Sequence, residues 1–276
     1  MPELPEVEVV RRTLAPGLVG ERVAAVEVRA PALREPLDAG ALRRDLEGRL
    51  VEGLRRRGKY LLVDLEGGRT LALHLGMTGQ LTLTAAGPER PPEPHEHVVF
   101  RLASGRSLRF RDPRRFGLAF TAATAALEAD PHFAHLGVEP LGSGFSGRHL
   151  AAAASRRRGP VKPFLMDATV VVGVGNIYAS EALVAAAIHP RRSVARISAA
   201  RWERLAGAVR DTLRRAIEEG GTSLSDFVDG EGRAGAYQIS LAVYDREGRP
   251  CPRCGAPIRR FVQAGRSTYH CPRCQR

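Results

Sequence analysis

All four cysteines of this chain fall in its last 26 residues, and their spacing limits what that end can become. Cys251 and Cys254 form one C-x2-C pair, Cys271 and Cys274 a second, with sixteen residues between. Four thiolates at that spacing close a tetrahedron around one structural Zn2+ and leave no open coordination position for catalysis. Disulfides are the alternative, but they need an oxidising compartment. The N-terminus has no basic-then-apolar export segment, and a cytoplasmic location is expected. Between the pairs, residues 258–262 and 267–270 read as a β-hairpin turning at Ala264-Gly265, with Arg266 near the tip and Arg259 and Arg260 at the base. A metal-stapled hairpin with basic residues suits a nucleic-acid groove.

Charge points the same way. The net charge is +12, from 42 Lys+Arg against 30 Asp+Glu. Such an excess indicates an anionic partner, of which nucleic acid fits best. No apolar run reaches the ~20 residues of a membrane span. Only Lys59 and Lys162 among the basic residues are lysine, and Asn176 is the only asparagine. In a chain that otherwise uses arginine throughout, these three mark positions where a compact amine or a neutral amide is wanted, or else are chance survivals.

The chain divides by pattern. Residues 3–14 carry Val7, Val10 and Leu14 at helical spacing, and Pro16-Gly17 should end that helix. Strands are expected over 23–28, 60–65, 70–75, 81–84, 97–102 and 107–110, with turn pairs Gly67-Gly68 and Ser104-Gly105 between them and a helix near 38–47. The proline-rich stretch 88–94 reads as a solvated loop. Helices follow at 148–155, 161–166, 177–187 and 199–219, the last stopped by Gly220-Gly221. The expected class is α+β: an N-terminal β-sandwich flanked by helices (2–130), a linker (131–147), a helical DNA-binding region (148–236) ending in a mobile loop (222–236), and the zinc ribbon (237–276).

Two local features carry chemistry. Pro2 becomes the first residue once Met1 is removed, and its nitrogen is then a secondary amine. An α-amino group has a pKa near 8 against roughly 10.4 for lysine, so a far larger fraction is neutral and nucleophilic at pH 7. The alternative is a plain helix start, where a missing N–H costs nothing. The run Val172-Gly173-Val174-Gly175-Asn176-Ile177 enters a helix, and its N-terminus can bind a phosphate or be only a capped turn. Arg156, Arg157 and Arg158 upstream add positive charge.

These pieces occur in one order. Pro2-Glu3-Leu4-Pro5-Glu6, Gly58-Lys59-Tyr60, the run from His74 to Gly79, Asp112-Pro113-Arg114-Arg115-Phe116-Gly117, Lys162-Pro163, residues 166–181 and the cysteine ribbon together resemble the bacterial formamidopyrimidine-DNA glycosylases, from end to end. The resemblance implies a helix-two-turn-helix bundle in the second half, and double-stranded DNA with oxidised purines or abasic sites as partner. It implies a bifunctional glycosylase and abasic-site lyase acting as a monomer. Pro2 would attack the sugar C1′ to form an imine, Glu3 would protonate the ring oxygen, and Glu6 would position the first residue and the flipped nucleotide. Lys59 would touch the DNA near the lesion and assist catalysis. Met77, Arg114 and Phe116 would fill the void left by the flipped base, although composition alone reads Met77 and Phe116 as core. Lys162 and Asn176 would grip phosphates, and Arg266 would reach the backbone from the ribbon. One segment departs from the pattern: Gly235-Ala236-Tyr237 stands where Gly-Tyr-Phe is expected, so damage preference does not transfer. An endonuclease VIII-type enzyme for oxidised pyrimidines and a non-catalytic lesion-binding protein are the alternatives.

Overall fold

The computed structural model describes residues 2–87, 90–223 and 227–276. Met1, residues 88–89 of the 88–94 stretch and residues 224–226 of the 222–236 segment lie outside the described residues. The chain forms two compact units, residues 1–134 with 219–238, and residues 135–218 with 239–276.

The first unit opens with α1 (Leu4–Leu18) and continues through β1 (Val23–Val28), α2 (Ala39–Leu46), β2 (Val51–Arg57), β3 (Tyr60–Leu65), β4 (Arg69–His74), β5 (Gln80–Thr84), β6 (Glu96–Leu102), β7 (Ser107–Arg111) and β8 (Leu118–Ala123). Two antiparallel four-stranded sheets result, ordered β1-β6-β7-β5 and β2-β3-β4-β8. Leu61, Val63 and Leu65 of β3 alternate into a core shared with Leu71, Leu73, Val98, Phe100, Leu108 and Phe110. Val10 and Leu14 of α1 and Leu42 and Leu46 of α2 close the same core, at the spacing that puts one helical face against it.

Three differences from expectation have physical causes. β2 carries Glu, Gly and three arginines, a poor strand sequence, yet it pairs with β3 because Arg55 bridges Asp64 at 2.6 Å and Arg56 bridges Glu8 of α1 at 3.3 Å. β8 is alanine-rich, and its pairing with β4 is a long-range choice. Helix α1 runs through Pro16 to Leu18, since a proline this close to the C-terminus removes only one intrahelical bond, and Val19 N–H still donates to Ala15 O at 3.1 Å.

Part of the described stretch of 219–238 packs into the first unit, while residues 231–234 are exposed. Phe227 joins the first core, Gly230 N–H donates to Thr13 Oγ1 and Gly230 O accepts from Leu83 N–H, both at 2.9 Å.

The second unit holds α3 (Gly147–Ala154), α4 (Val161–Leu165), α5 (Asn176–Ala185) and α6 (Ala199–Glu218). Helix α5 is buried from Ile177 to Val184, and α6 turns Trp202, Leu205, Ala206, Val209 and Leu213 inward at helical spacing. The terminal ribbon pairs β9 (Arg259–Gln263) with β10 (Arg266–His270) across Ala264-Gly265. No helix among the described residues is long and apolar enough to cross a membrane.

Candidate active site and nucleic-acid interface

The first turn of α1 is built around two buried carboxylates. Glu3 is the N-cap and its side chain accepts from the Glu6 backbone, while Glu6 Oε2 accepts Glu3 N–H at 2.7 Å. Leu4, fully buried, pins the turn into the core, and Pro2 is buried beside it. Glu3 and Glu6 are each 1% exposed. Such carboxylates persist only where hydrogen bonds replace water, and here the helix start supplies them. Glu6 Oε1 accepts a further bond from Thr222 N–H at 2.9 Å, so one carboxylate joins the N-terminal segment to a loop 216 residues away. Gly221 makes this approach possible: its φ is +79°, and a Cβ there would lie 3.2 Å from Glu6 Oε1.

Lys59 occupies the turn between β2 and β3, where Gly58 has φ +56°. Arg56 fixes that turn beside α1, donating from Nη1 to Gly58 O at 2.9 Å while its Nε faces Glu8. Tyr60 packs edge-on against His74, with ring centroids 4.9 Å apart. His74 Nδ1 accepts Gly76 N–H at 2.9 Å, so the ring is a neutral acceptor at the base of the Met77 loop. Enclosure by protein pushes its pKa down to about 3, and the charges of Arg34 and Lys59 push the same way.

Met77 and Phe116 are both exposed, at 37% and 41%, against what their apolar character suggests. Arg114 lies with its guanidinium carbon 4.7 Å from the Phe116 ring centroid. The loops carrying these three side chains share one support, which sequence reasoning missed. Asp112, fully buried, accepts Thr78 Oγ1–H at 2.6 Å on Oδ1 and Gly117 N–H at 2.7 Å on Oδ2. Arg114 N–H in turn donates to Thr78 Oγ1 at 3.2 Å. The only sequence hint was an acidic residue heading the Asp112-Pro113 turn.

In the second unit, Lys162 does not face solvent as expected for a phosphate ligand. It is 2% exposed, and its Nζ donates to Asn176 Oδ1 at 2.6 Å, Thr268 Oγ1 at 2.8 Å and Ser267 O at 3.3 Å. An ammonium has three protons, so the lysine is committed internally. Asn176, half-buried at the start of α5, also donates to Ser267 O at 3.1 Å. Lys162 and Asn176 therefore brace β10 directly after Arg266, whose side chain is exposed. Glu181, missed from sequence, braces the chain entering the ribbon: it accepts three backbone N–H groups, from Ala242, Val243 and Tyr244, at 2.8–3.0 Å.

The four cysteine sulfurs lie within 4.8 Å of one another, with Cys254 and Cys271 3.5 Å apart and Cys251 and Cys274 4.0 Å apart. A tetrahedral zinc with bonds of about 2.3 Å requires sulfurs about 3.8 Å apart, so the donor set fits one structural zinc. Chelation should release one zinc per chain and weaken binding of an abasic-site duplex by at least roughly tenfold, because the frame of Arg266 is lost with the metal. Metal analysis beside fluorescence anisotropy checks this, and unchanged binding by metal-free protein would remove the ribbon from the interface.

Three family models cover most of the chain: the formamidopyrimidine-DNA glycosylase N-terminal domain at residues 1–119, the H2TH domain of the same enzymes at 136–228, and a zinc finger found in FPG and IleRS at 248–276. A formamidopyrimidine-DNA glycosylase of Azorhizobium caulinodans is 47% identical, with all of both chains aligned. The MutM (Fpg) protein of Thermus thermophilus has a solved structure that superposes with TM-score 0.88 and 41% identity, covering 99% of this chain and 98% of that one. The Lactococcus lactis Fpg, solved as a complex with DNA containing an abasic site, superposes with TM-score 0.90 at 33% identity over 99% of each chain. Aligned over its full length with such relatives, the chain belongs to the formamidopyrimidine-DNA glycosylase family.

Proposed function

We propose that this DNA-repair glycosylase excises oxidised purines through the nitrogen of Pro2 and then cleaves the strand at the same sugar. The observation that carries this reading is the buried Glu3–Glu6 capping box, which fixes the first turn of α1 directly after Pro2 and supports a reading in which a mature Pro2 amine works beside Glu3. The amine adds to C1′ as the bond from C1′ to the base breaks. Glu3 gives a proton to the ring oxygen, the ring opens, and an imine is left. The imine accepts electrons as C2′ loses a proton and the 3′ phosphate departs. A second elimination expels the 5′ phosphate.

Glu6 holds Glu3, the residue after Pro2, and Thr222 in one frame, and Lys59 supplies a cation at the lesion strand. Flipping the nucleotide costs a few kcal/mol of unstacking and unpairing. Met77, Arg114 and Phe116, exposed and backed by Asp112, are suited to occupy the vacated space. Asn176 and Arg266 meet the backbone, with Lys162 as their internal brace. Complexes of the Lactococcus lactis Fpg with Fapy-dG DNA and abasic DNA support this substrate class. The enzyme would act as a cytoplasmic monomer.

That same relative has also been solved with DNA containing an oxidised pyrimidine, so preference is a matter of degree. Duplexes carrying 8-oxoguanine opposite cytosine should be cut faster than duplexes carrying thymine glycol, measured as single-turnover strand cleavage. The reverse order would favour the endonuclease VIII-type reading, and binding without cleavage of either would favour a lesion-binding protein.

A further inference from the structure

The peptide group joining Phe116 to Gly117 is held at both of its polar ends. Its N–H, from Gly117, donates to the buried Asp112 Oδ2 at 2.7 Å. Its C=O, from Phe116, accepts from Arg34 Nη2 at 2.6 Å, and Arg34 N–H donates to the next carbonyl, Gly117 O, at 3.1 Å. A third surface closes against the same peptide. Gly76, with φ +63°, lies so near that a Cβ would meet Phe116 C at 2.4 Å and Gly117 N at 2.6 Å. The preceding residue, Arg115, is in the left-handed region with φ +56°, a strained conformation for a residue with a Cβ that surrounding contacts must maintain.

Arg34 is itself on a stiff platform. Leu37 N–H donates to Pro31 O at 2.9 Å and Leu33 N–H to Glu35 O at 3.0 Å, while Leu33 and Leu37 are buried in the core. Glu35 reaches His132 Nε2 at 3.2 Å, and His132 Nδ1 is 2.8 Å from Asp130. A loop 82 residues earlier in the chain thus grips the backbone from which the Phe116 ring projects.

We infer that Arg34 is a positioning residue for strand opening: its guanidinium orients the Phe116 wedge and so speeds lesion extrusion from paired DNA without touching the reacting sugar. This rests on the reading of Phe116 as an intercalating side chain. A peptide fixed at both ends sets the direction of the Phe116 Cα–Cβ bond, and a side chain that must enter a base step benefits from being held in that direction beforehand. Arg34 is exposed, and its backbone bond to Gly117 survives any substitution, so Arg34→Ala removes one charge-assisted bond without unmaking the platform.

The test compares Arg34→Ala, Arg34→Lys, Phe116→Ala and the double variant Arg34→Ala/Phe116→Ala in single-turnover excision. Each acts on a fully paired 8-oxoguanine duplex and on one whose pairs around the lesion are mismatched, which need little opening. We expect Arg34→Ala to be slower by about tenfold on the paired duplex, the scale of one lost charge-assisted bond, and close to wild type on the mismatched one. Arg34→Lys should recover part of the loss, and the double variant should be no slower than Phe116→Ala. If Phe116→Ala is slow on paired DNA while Arg34→Ala is not, the inference is wrong and the wedge reading stands. If Phe116→Ala is itself normal, both fall. Equal slowing by Arg34→Ala on both duplexes, with a lowered Tm, would reduce Arg34 to a structural contact and overturn the proposal.

Discussion

With Pro2 replaced by glycine, borohydride trapping of the protein on abasic-site DNA should fall by about 10²-fold, and with any residue fixed ahead of Pro2 it should fall to background. Glycine still offers an amine at the terminus, but it loses the pyrrolidine ring, which is buried just ahead of α1. A misplacement of about 1 Å at a reacting atom is enough for a loss of that size. A residue ahead of Pro2 does more, because it turns the amine into an amide nitrogen with no nucleophilic pair. The active protein should accordingly show a mass without Met1. Trapping undiminished by Pro2→Gly would move the nucleophile elsewhere, and Lys59, in the turn fixed beside α1 by Arg56, is the first place to look.

The second large effect belongs to Glu3. In Glu3→Gln the amide oxygen can still accept the Glu6 N–H, so the capping box keeps that bond and α1 keeps its start. What is lost is the proton. General acid catalysis is worth about 10²- to 10⁴-fold, and excision of 8-oxoguanine should drop by that factor. Cleavage at a preformed abasic site should drop much less, because the base has already left and the sugar readily presents its open form. Single-turnover rates on the two substrates measure the difference. Parallel losses on both would mean that Glu3 serves the helix rather than the ring oxygen, and no loss on either would assign the proton to another group.

How much of this was legible beforehand depends on how local each feature is. The zinc ligands could be read directly, since two C-x2-C pairs flanking a hairpin leave little freedom in how four sulfurs meet. The helix that opens the chain, the helix near 38–47 and the long α6 were legible for the same reason: a 3.6-residue period acts within a few residues. β2 was not, because beside the core contacts of Val51 and Leu54 its arginines are matched by Asp64 and Glu8, partners that no local pattern shows.

Within the site the same division holds. The chemistry of Pro2, Glu3, Glu6 and Lys59 is written in their side chains, and their order along the chain identified the family. The supports were not legible. Asp112 beneath two loops, Thr222 on Glu6 and Arg34 on the Phe116 peptide are contacts between residues far apart in sequence, and no local pattern announces them. Lys162 shows the limit most clearly: a rare lysine in a basic stretch invites a phosphate, and burial against Asn176 and Thr268 gives its three protons other work. By itself the sequence determined which functional groups this enzyme possesses and which metal it holds, because residue identity and short spacing suffice for both. Only the tertiary structure decided which of those groups meet solvent and which hold others in place, because exposure and long-range hydrogen bonds are properties of the packed chain.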